Sequence, residues 1–122
     1  MTTTALQKQA LGRYGESVAE RHLVEQGMVV LGRNWRCDEG EIDLVLRDGD
    51  VLVICEVKTR SSADYGEPHE AIDAVKLDRM RRLAERWKAA HGLAHVPEVR
   101  LDLVAVMPSP KGSAVTDHVR GL

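Results

Sequence analysis

The stretch Gly40-Glu41-Ile42-Asp43-Leu44-Val45-Leu46-Arg47-Asp48-Gly49-Asp50-Val51-Leu52-Val53-Ile54-Cys55-Glu56-Val57-Lys58-Thr59 decides the fold. In its first half Ile42, Leu44 and Leu46 alternate with Glu41, Asp43 and Val45, the period of a strand from Glu41 to Arg47. Asp48-Gly49 is a hairpin-turn signal. The unbroken apolar run from Val51 to Cys55 then opens a strand reaching Thr59, with the character of a central strand covered on both faces.

Working outward, the chain before the hairpin reads as a helix from about Ala5 to Gln26. Leu11, Tyr14, Val18 and His22 make one line, Ala19 and Leu23 lie beside it, and Gly27 stops the helix. Met28 to Trp35 reads as a strand. Beyond the hairpin, Thr59 to Glu67 is a loop, and Pro68 marks the approach of a helix that runs to about His91 and stops at Gly92. Val99, Leu101 and Leu103 alternate with Arg100 and Asp102 in a further strand. Pro108 to Ser113 is a turn-rich break, and Val115 to Val119 adds a short, polar edge strand. The order αβββαβ, with a helical crossover between parallel neighbours, defines an α/β domain whose mixed central sheet is flanked by helices. At 122 residues the chain holds one core, so residues 1–122 form a single domain, with a mobile N-terminus (1–5) and C-terminal tail (108–122) as expectations.

The composition, 43% apolar and 30% charged, excludes a disordered chain. No apolar run approaches the roughly 20 residues that span a bilayer, and the start has no charged and apolar leader, so the protein reads as cytoplasmic. Cys37 and Cys55 read as free thiols, and the five histidines show no zinc-ligand spacing. A net charge of −2 argues against coating nucleic acid by bulk electrostatics. The charge is nevertheless polarised: six carboxylates lie between Asp38 and Asp50, and six cations between Lys76 and Lys88.

The hairpin also carries the chemistry. With Asp48 and Gly49 as the two turn residues, Glu41 faces Glu56 and Asp43 lies diagonal to it; a four-residue turn puts Asp43 directly opposite Glu56. Either even register gathers Asp43, Glu56 and Lys58 on one side of the sheet, with Glu41 beside them, whereas a three-residue turn separates them. Clustered carboxylates on a covered face are costly unless a cation offsets them. Two carboxylates, a carbonyl and water suit Mg²⁺ or Mn²⁺, and a lysine beside them can stabilise the transition state of phosphodiester hydrolysis. A solvated face with an ordinary cross-strand ion pair is the competing reading.

Asp43 followed by Glu56-Val57-Lys58 resembles the PD-(D/E)xK nuclease signature, with Ile42 where the signature has proline. Gly15-Glu16, Arg33-Asn34-Trp35-Arg36, Gly40-Glu41-Ile42-Asp43-Leu44, Glu56-Val57-Lys58-Thr59-Arg60 and Gly66-Glu67-Pro68 together resemble the YraN-like family of bacterial proteins, from about Gly12 to Val106. Members of that family are similar to archaeal Holliday-junction resolvases. The resemblance implies a restriction-endonuclease-like core and metal-dependent nuclease activity without identifying the substrate; the likeness to resolvases suggests branched or distorted DNA and a homodimer. It also implies that Glu16 joins the catalytic set and, with Asp43, Glu56 and the Val57 carbonyl, the metal ligands. The helical wheel agrees, since Glu16 projects close to Leu23 at the edge of the buried stripe.

Lys76 and Arg79 fall within the stripe formed by Ile72, Val75, Met80, Leu83 and Trp87. Either they snorkel past apolar neighbours, or Lys76 reaches the carboxylate site or the scissile phosphate, as a nucleic-acid-binding residue, while Arg79, Arg82 and Arg86 hold nucleic-acid backbone. Arg60 and Ser61 are further phosphate-contact candidates. Trp35 and Trp87 read as core residues. The leading expectation is an endonuclease acting on DNA rather than RNA. The alternative is a non-catalytic module binding nucleic acid or a partner, which has little use for clustered anions.

Overall fold

A computed structural model describes residues 4–60, 72–109 and 111–122. The chain folds as α1 (Ala5–Glu25), β1 (Val29–Cys37), β2 (Gly40–Asp48), β3 (Val51–Thr59), α2 (Ala74–Ala90), β4 (Val99–Ser109) and β5 (Gly112–Val119). The sheet order follows the chain, β1-β2-β3-β4-β5. Only the β3–β4 pair, joined through α2, is parallel; the other pairs are antiparallel. This is the αβββαβ order, with β5 added at the edge.

Local chemistry sets the boundaries. Thr4 and Gln7 form a reciprocal capping box at the start of α1, and Gly27 leaves it at φ +95°. Asp73 caps α2 by accepting the Lys76 N–H at 2.7 Å, and Gly92 leaves at φ +69°. The expected helix start near Pro68 and the preceding loop lie largely outside the described residues, as do residues 1–3; Ile72 and Asp73 precede the first turn of α2.

Several expectations are corrected. Asp48 pairs with Val51, so the β2–β3 turn residues are Gly49 and Asp50 rather than Asp48 and Gly49. Gly49 supplies φ +60°, as a type II′ turn requires at its first central position. The resulting register matches that of the four-residue alternative. β4 continues through Pro108, which the sequence reading placed in a break. Pro108 sits at the irregularity between Met107 and Ser109, where a missing N–H is tolerated, and β5 is correspondingly longer than Val115 to Val119.

The core has two layers, one on each side of the sheet. Against α1 lie Leu44, Leu46, Val53, Cys55, Val104 and Val106; against α2 lie Ile42, Val45, Leu52, Ile54 and Leu101. β3 contributes to both, as its unbroken apolar run implies. The buried line of α1 is Gly15, Ala19 and Leu23, one position from the expected line, and Tyr14 stays 44% exposed. The reason is steric: a Cβ on Gly15 would lie 1.8 Å from Thr59 Oγ1, so only glycine lets α1 seat this closely on β3. On α2, Met80, Leu83 and Trp87 are buried, but Val75 is 69% exposed and leaves the expected stripe. Both cysteines are free thiols. No described helix is long and apolar enough to cross a membrane.

Candidate active site

β2 and β3 pair only as far as Leu44–Cys55, although β3 continues beside β4 to Thr59. At this point β2 changes face. Leu44 packs in the α1 layer, whereas Ile42, two residues away, packs in the α2 layer. β1 does the same, since Arg33 pairs with Glu20 of α1 and Trp35 packs in the α2 layer. Asn34 stands between them at φ +49°, the sole non-glycine with positive φ among the described residues. The two strands thus rotate together at Asn34 and Asp43.

That rotation sets the Asp43 carboxylate in the gap, where its Oδ2 accepts the Val57 N–H at 2.8 Å. In a strand the N–H and C=O of one residue point to the same neighbour, so the Val57 carbonyl opens on this gap too. Burial is the main force pushing Asp43 up to about 7, and Glu56, Glu16 and Glu41 add to it against the opposing Val57 hydrogen bond. Glu16 is also raised, by burial first and then by Glu41 and Glu56, with the Asn34 hydrogen bond opposing. Four carboxylates therefore share one electrostatic field.

Glu56 is held differently. Its Oε1 lies 2.8 Å from Lys76 Nζ and 3.3 Å from Lys58 Nζ. Burial works against the charge on Lys76, but the hydrogen bonds with Glu56 and Lys58 and the field of Glu56 and Asp43 outweigh it, so its affinity for a proton rises. Lys76 accordingly reaches the carboxylate site from α2, while Glu16 arrives from α1 on the opposite side of the sheet. A cleft of about 270 Å³ beside Glu16, lined by Arg13, Ser17, Arg33 and Asn34, gives this half of the site access to solvent.

Among the described residues, no three Asp, Glu, His or Cys side chains are already arranged to cage a metal ion. The donors available to a cation are therefore individual carboxylates, the Val57 carbonyl and water. Oxygen donors of this kind, with charge left uncompensated on Asp43, suit Mg²⁺, which retains much of its water shell.

The remaining basic candidates separate. Arg86 pairs with Asp38 at 2.6 Å and Glu39 at 3.3 Å; Arg82 pairs with Asp78 and, at 3.4 Å, with Glu39. The pairs with Asp38 and Glu39 tie α2 to the β1–β2 turn. Arg79 is exposed, with its stem near Gly40. The Arg60 backbone N–H bonds Val106 O at 2.8 Å, and Ser61 lies outside the described residues.

The sequence reading named no role for Asn34, although it lies inside a quoted motif; an asparagine within an otherwise regular strand was the available signal. It also overlooked the cluster around Asp102, which is fully buried. Asp102 accepts from Arg100 at 2.9 and 3.0 Å, His118 at 2.9 Å and the Gly121 N–H at 3.1 Å.

Fold and site together define an α/β domain of the αβββαβ kind, with a carboxylate–lysine cluster where the central hairpin opens. The chain belongs to the uncharacterised protein family UPF0102, whose sequence pattern matches residues 15–106. It is 64% identical to a UPF0102 protein of Nocardioides sp. over 94% of this chain and 92% of the relative. A UPF0102 protein of Streptomyces griseus is 56% identical over 93% and 95%, and one of Beutenbergia cavernae 55% identical over 94% and 97%.

Proposed function

We propose that this domain is a Mg²⁺- or Mn²⁺-dependent endonuclease acting on DNA, with branched or otherwise structured DNA as the preferred form. The observation that carries the reading is the asymmetry of the site. Burial, then the like charges of Glu56, Glu16 and Glu41, resist ionisation of Asp43, while Glu56 itself contacts two lysines. A cation would relieve the first group, and a phosphate would be attracted to the second.

Asp43 and Glu56, with the Val57 carbonyl and Glu16, would hold the metal, which supplies charge neutralisation at a phosphoryl oxygen and a more acidic water. The residues of the chain do the rest. Lys58, 38% exposed on its side chain, is placed to meet the charge that develops on the scissile phosphate, and Lys76 to hold Glu56 in position. The burial and like charges that raise the proton affinity of Glu16 are what a cation held there would relieve. Arg79, Arg82, Arg86, Arg60 and Ser61 are the proposed contacts to flanking phosphates, in which case the exposed pairs of Arg82 and Arg86 exchange a carboxylate for a phosphate. A homodimer working in the cytoplasm completes the reading, and sedimentation at micromolar concentration with and without four-way DNA tests the dimer.

The Lys76–Glu56–Lys58 contacts favour one competing reading, a module that binds nucleic acid or a partner and does not cut it, because Glu56 already has cationic partners without a metal. The deciding experiment incubates the protein and Mn²⁺ with linear, flapped, four-way and single-stranded DNA and with RNA. Cleavage that disappears in Asp43→Asn and Glu56→Gln supports the nuclease. Binding without cleavage of any substrate, unchanged in both variants, leaves the module.

A further inference from the structure

Asp43, Glu16 and Glu41 each accept from a neutral donor, whereas Glu56 is held by two lysines; Glu41 has in addition the exposed Arg36 at 3.5 Å. Asp43 takes the Val57 N–H. The Asn34 amide nitrogen, in the orientation its acceptors dictate, donates to Glu16 Oε1 and Glu41 Oε1, each at 3.2 Å. One NH₂ group carries two hydrogens, enough for one carboxylate from α1 and one from β2. We propose that Asn34 is the positioning residue of this site, drawing Glu16 and Glu41 together for a divalent cation without cancelling their charge. The inference rests on the metal-dependent reading above.

Three features converge on it. The backbone of Asn34 adopts φ +49°, a conformation that asparagine tolerates better than most residues with a Cβ and that persists only when its surroundings demand it. Its neighbours Arg33 and Trp35 go to opposite sides of the sheet, so the left-handed residue is what aims the amide at the gap. A lysine or arginine in its place would also join the two carboxylates, but would neutralise charge that a cation needs. Arg36, the other partner of Glu41, stands off at 3.5 Å with its side chain 78% exposed. Asn34 is thus the shared contact between Glu16 and Glu41.

Donor and backbone roles separate experimentally in the full-length chain. Asn34→Gly removes the amide and is comfortable at positive φ, whereas Asn34→Ala removes it and keeps the strain. If the amide positions the carboxylates, calorimetric titration with Mn²⁺ alone will show both variants weakened alike, by about ten- to a hundredfold. Their melting temperatures will differ, with Asn34→Gly the more stable. In the parent, labelled with ¹⁵N, the Asn34 side-chain amide resonance will shift on adding Mg²⁺. Binding within twofold of the parent in Asn34→Gly, with the parent still binding Mn²⁺ and Asp43→Asn not, overturns the positioning role and leaves the nuclease reading intact. A parent that binds no Mn²⁺ overturns both.

Discussion

Asp43 Oδ2 accepts the backbone N–H of Val57 at 2.8 Å at the point where β2 and β3 cease to pair, so a side chain completes what the sheet leaves open. The same position raises Asp43 to about 7, chiefly through burial and the neighbouring Glu56. A carboxyl whose folded value lies above the unfolded one, about 4, holds its proton longer when folded. Its contribution to stability is therefore full below pH 4 and is lost as pH rises through 7. Each pH unit in that window is worth at most about 1.4 kcal/mol, less for a partly exposed group. Asp43→Asn can still accept from Val57 but cannot ionise, so the metal-free variant should gain stability over the parent between pH 5 and 8. Denaturant titration across that range checks the gain; parallel curves for the two proteins would refute it.

The contact between Gly15 and Thr59 makes a steric prediction. Gly15→Ala should destabilise by about 1–3 kcal/mol, since the new Cβ must displace either Thr59 or the helix. Thr59→Ala removes the Oγ1 at 1.8 Å but leaves the Thr59 Cβ at 3.0 Å, so rescue should be partial. A double-mutant cycle reads the coupling directly. Additive effects would mean that α1 moves freely and that Glu16 is not fixed by this contact.

How much of this was legible in the sequence follows from which interactions are local. Strand alternation, the apolar run of β3 and the glycine stops are local, and they locate the helices and strands while leaving the hairpin register open among turn lengths. The turn shifted by one residue because Asp48-Gly49 and Gly49-Asp50 differ only in where the positive φ falls, which pairing decides. The partners of Arg82 and Arg86 are tertiary, since Asp38 and Glu39 lie 48 and 47 residues away from Arg86. Likewise, Asn34 gains meaning only when α1 brings Glu16 to it. Asp102 looked like an outward residue because alternation shows the period of a strand, not the polar partners its neighbours provide.

Asp102 should dominate acid stability. Burial opposes its charge, but His118, Arg100 and the Gly121 N–H lower it to about 2. A depressed carboxyl contributes fully above its unfolded value, about 4, and that contribution disappears as pH falls toward 2. Asp102→Asn leaves His118 without its anion and Arg100 with Asp48 alone, at 2.9 Å, and should cost about 1–3 kcal/mol at pH 7. It should also lack the parent's decline between pH 4 and 2. Circular dichroism during acid titration measures both, and equal steepness in the two proteins would argue against the assignment.

Arg82 and Arg86 are themselves exposed and pair with exposed Asp78 and Asp38 and half-buried Glu39, so replacing either by alanine should change stability by less than about 1 kcal/mol. If both exchange those partners for phosphates, the double variant should reduce the slope of log affinity against log salt by about 0.9 per contact. An unaltered slope would move the DNA path away from this part of α2.

The two lysines on Glu56 should behave differently. Lys76 makes the shorter contact, 2.8 Å against 3.3 Å, and the more buried one, with 29% of its side chain exposed against 38% for Lys58. Removing its charge in Lys76→Met frees Glu56 toward the cation, so Mn²⁺ should bind more tightly even as cleavage slows. Lys58→Ala should leave Mn²⁺ affinity unchanged and lose rate, by about 10²- to 10³-fold if it meets transition-state charge. Single-turnover cleavage beside calorimetric titration separates rate from affinity for each variant. Lys58→Ala losing Mn²⁺ as severely as Asp43→Asn would contradict its role, because an ammonium is not a metal ligand and its loss should favour cation binding if anything. Unchanged affinity in Lys76→Met would mean that the α2 lysine does not compete for Glu56, leaving Lys58 as its effective partner.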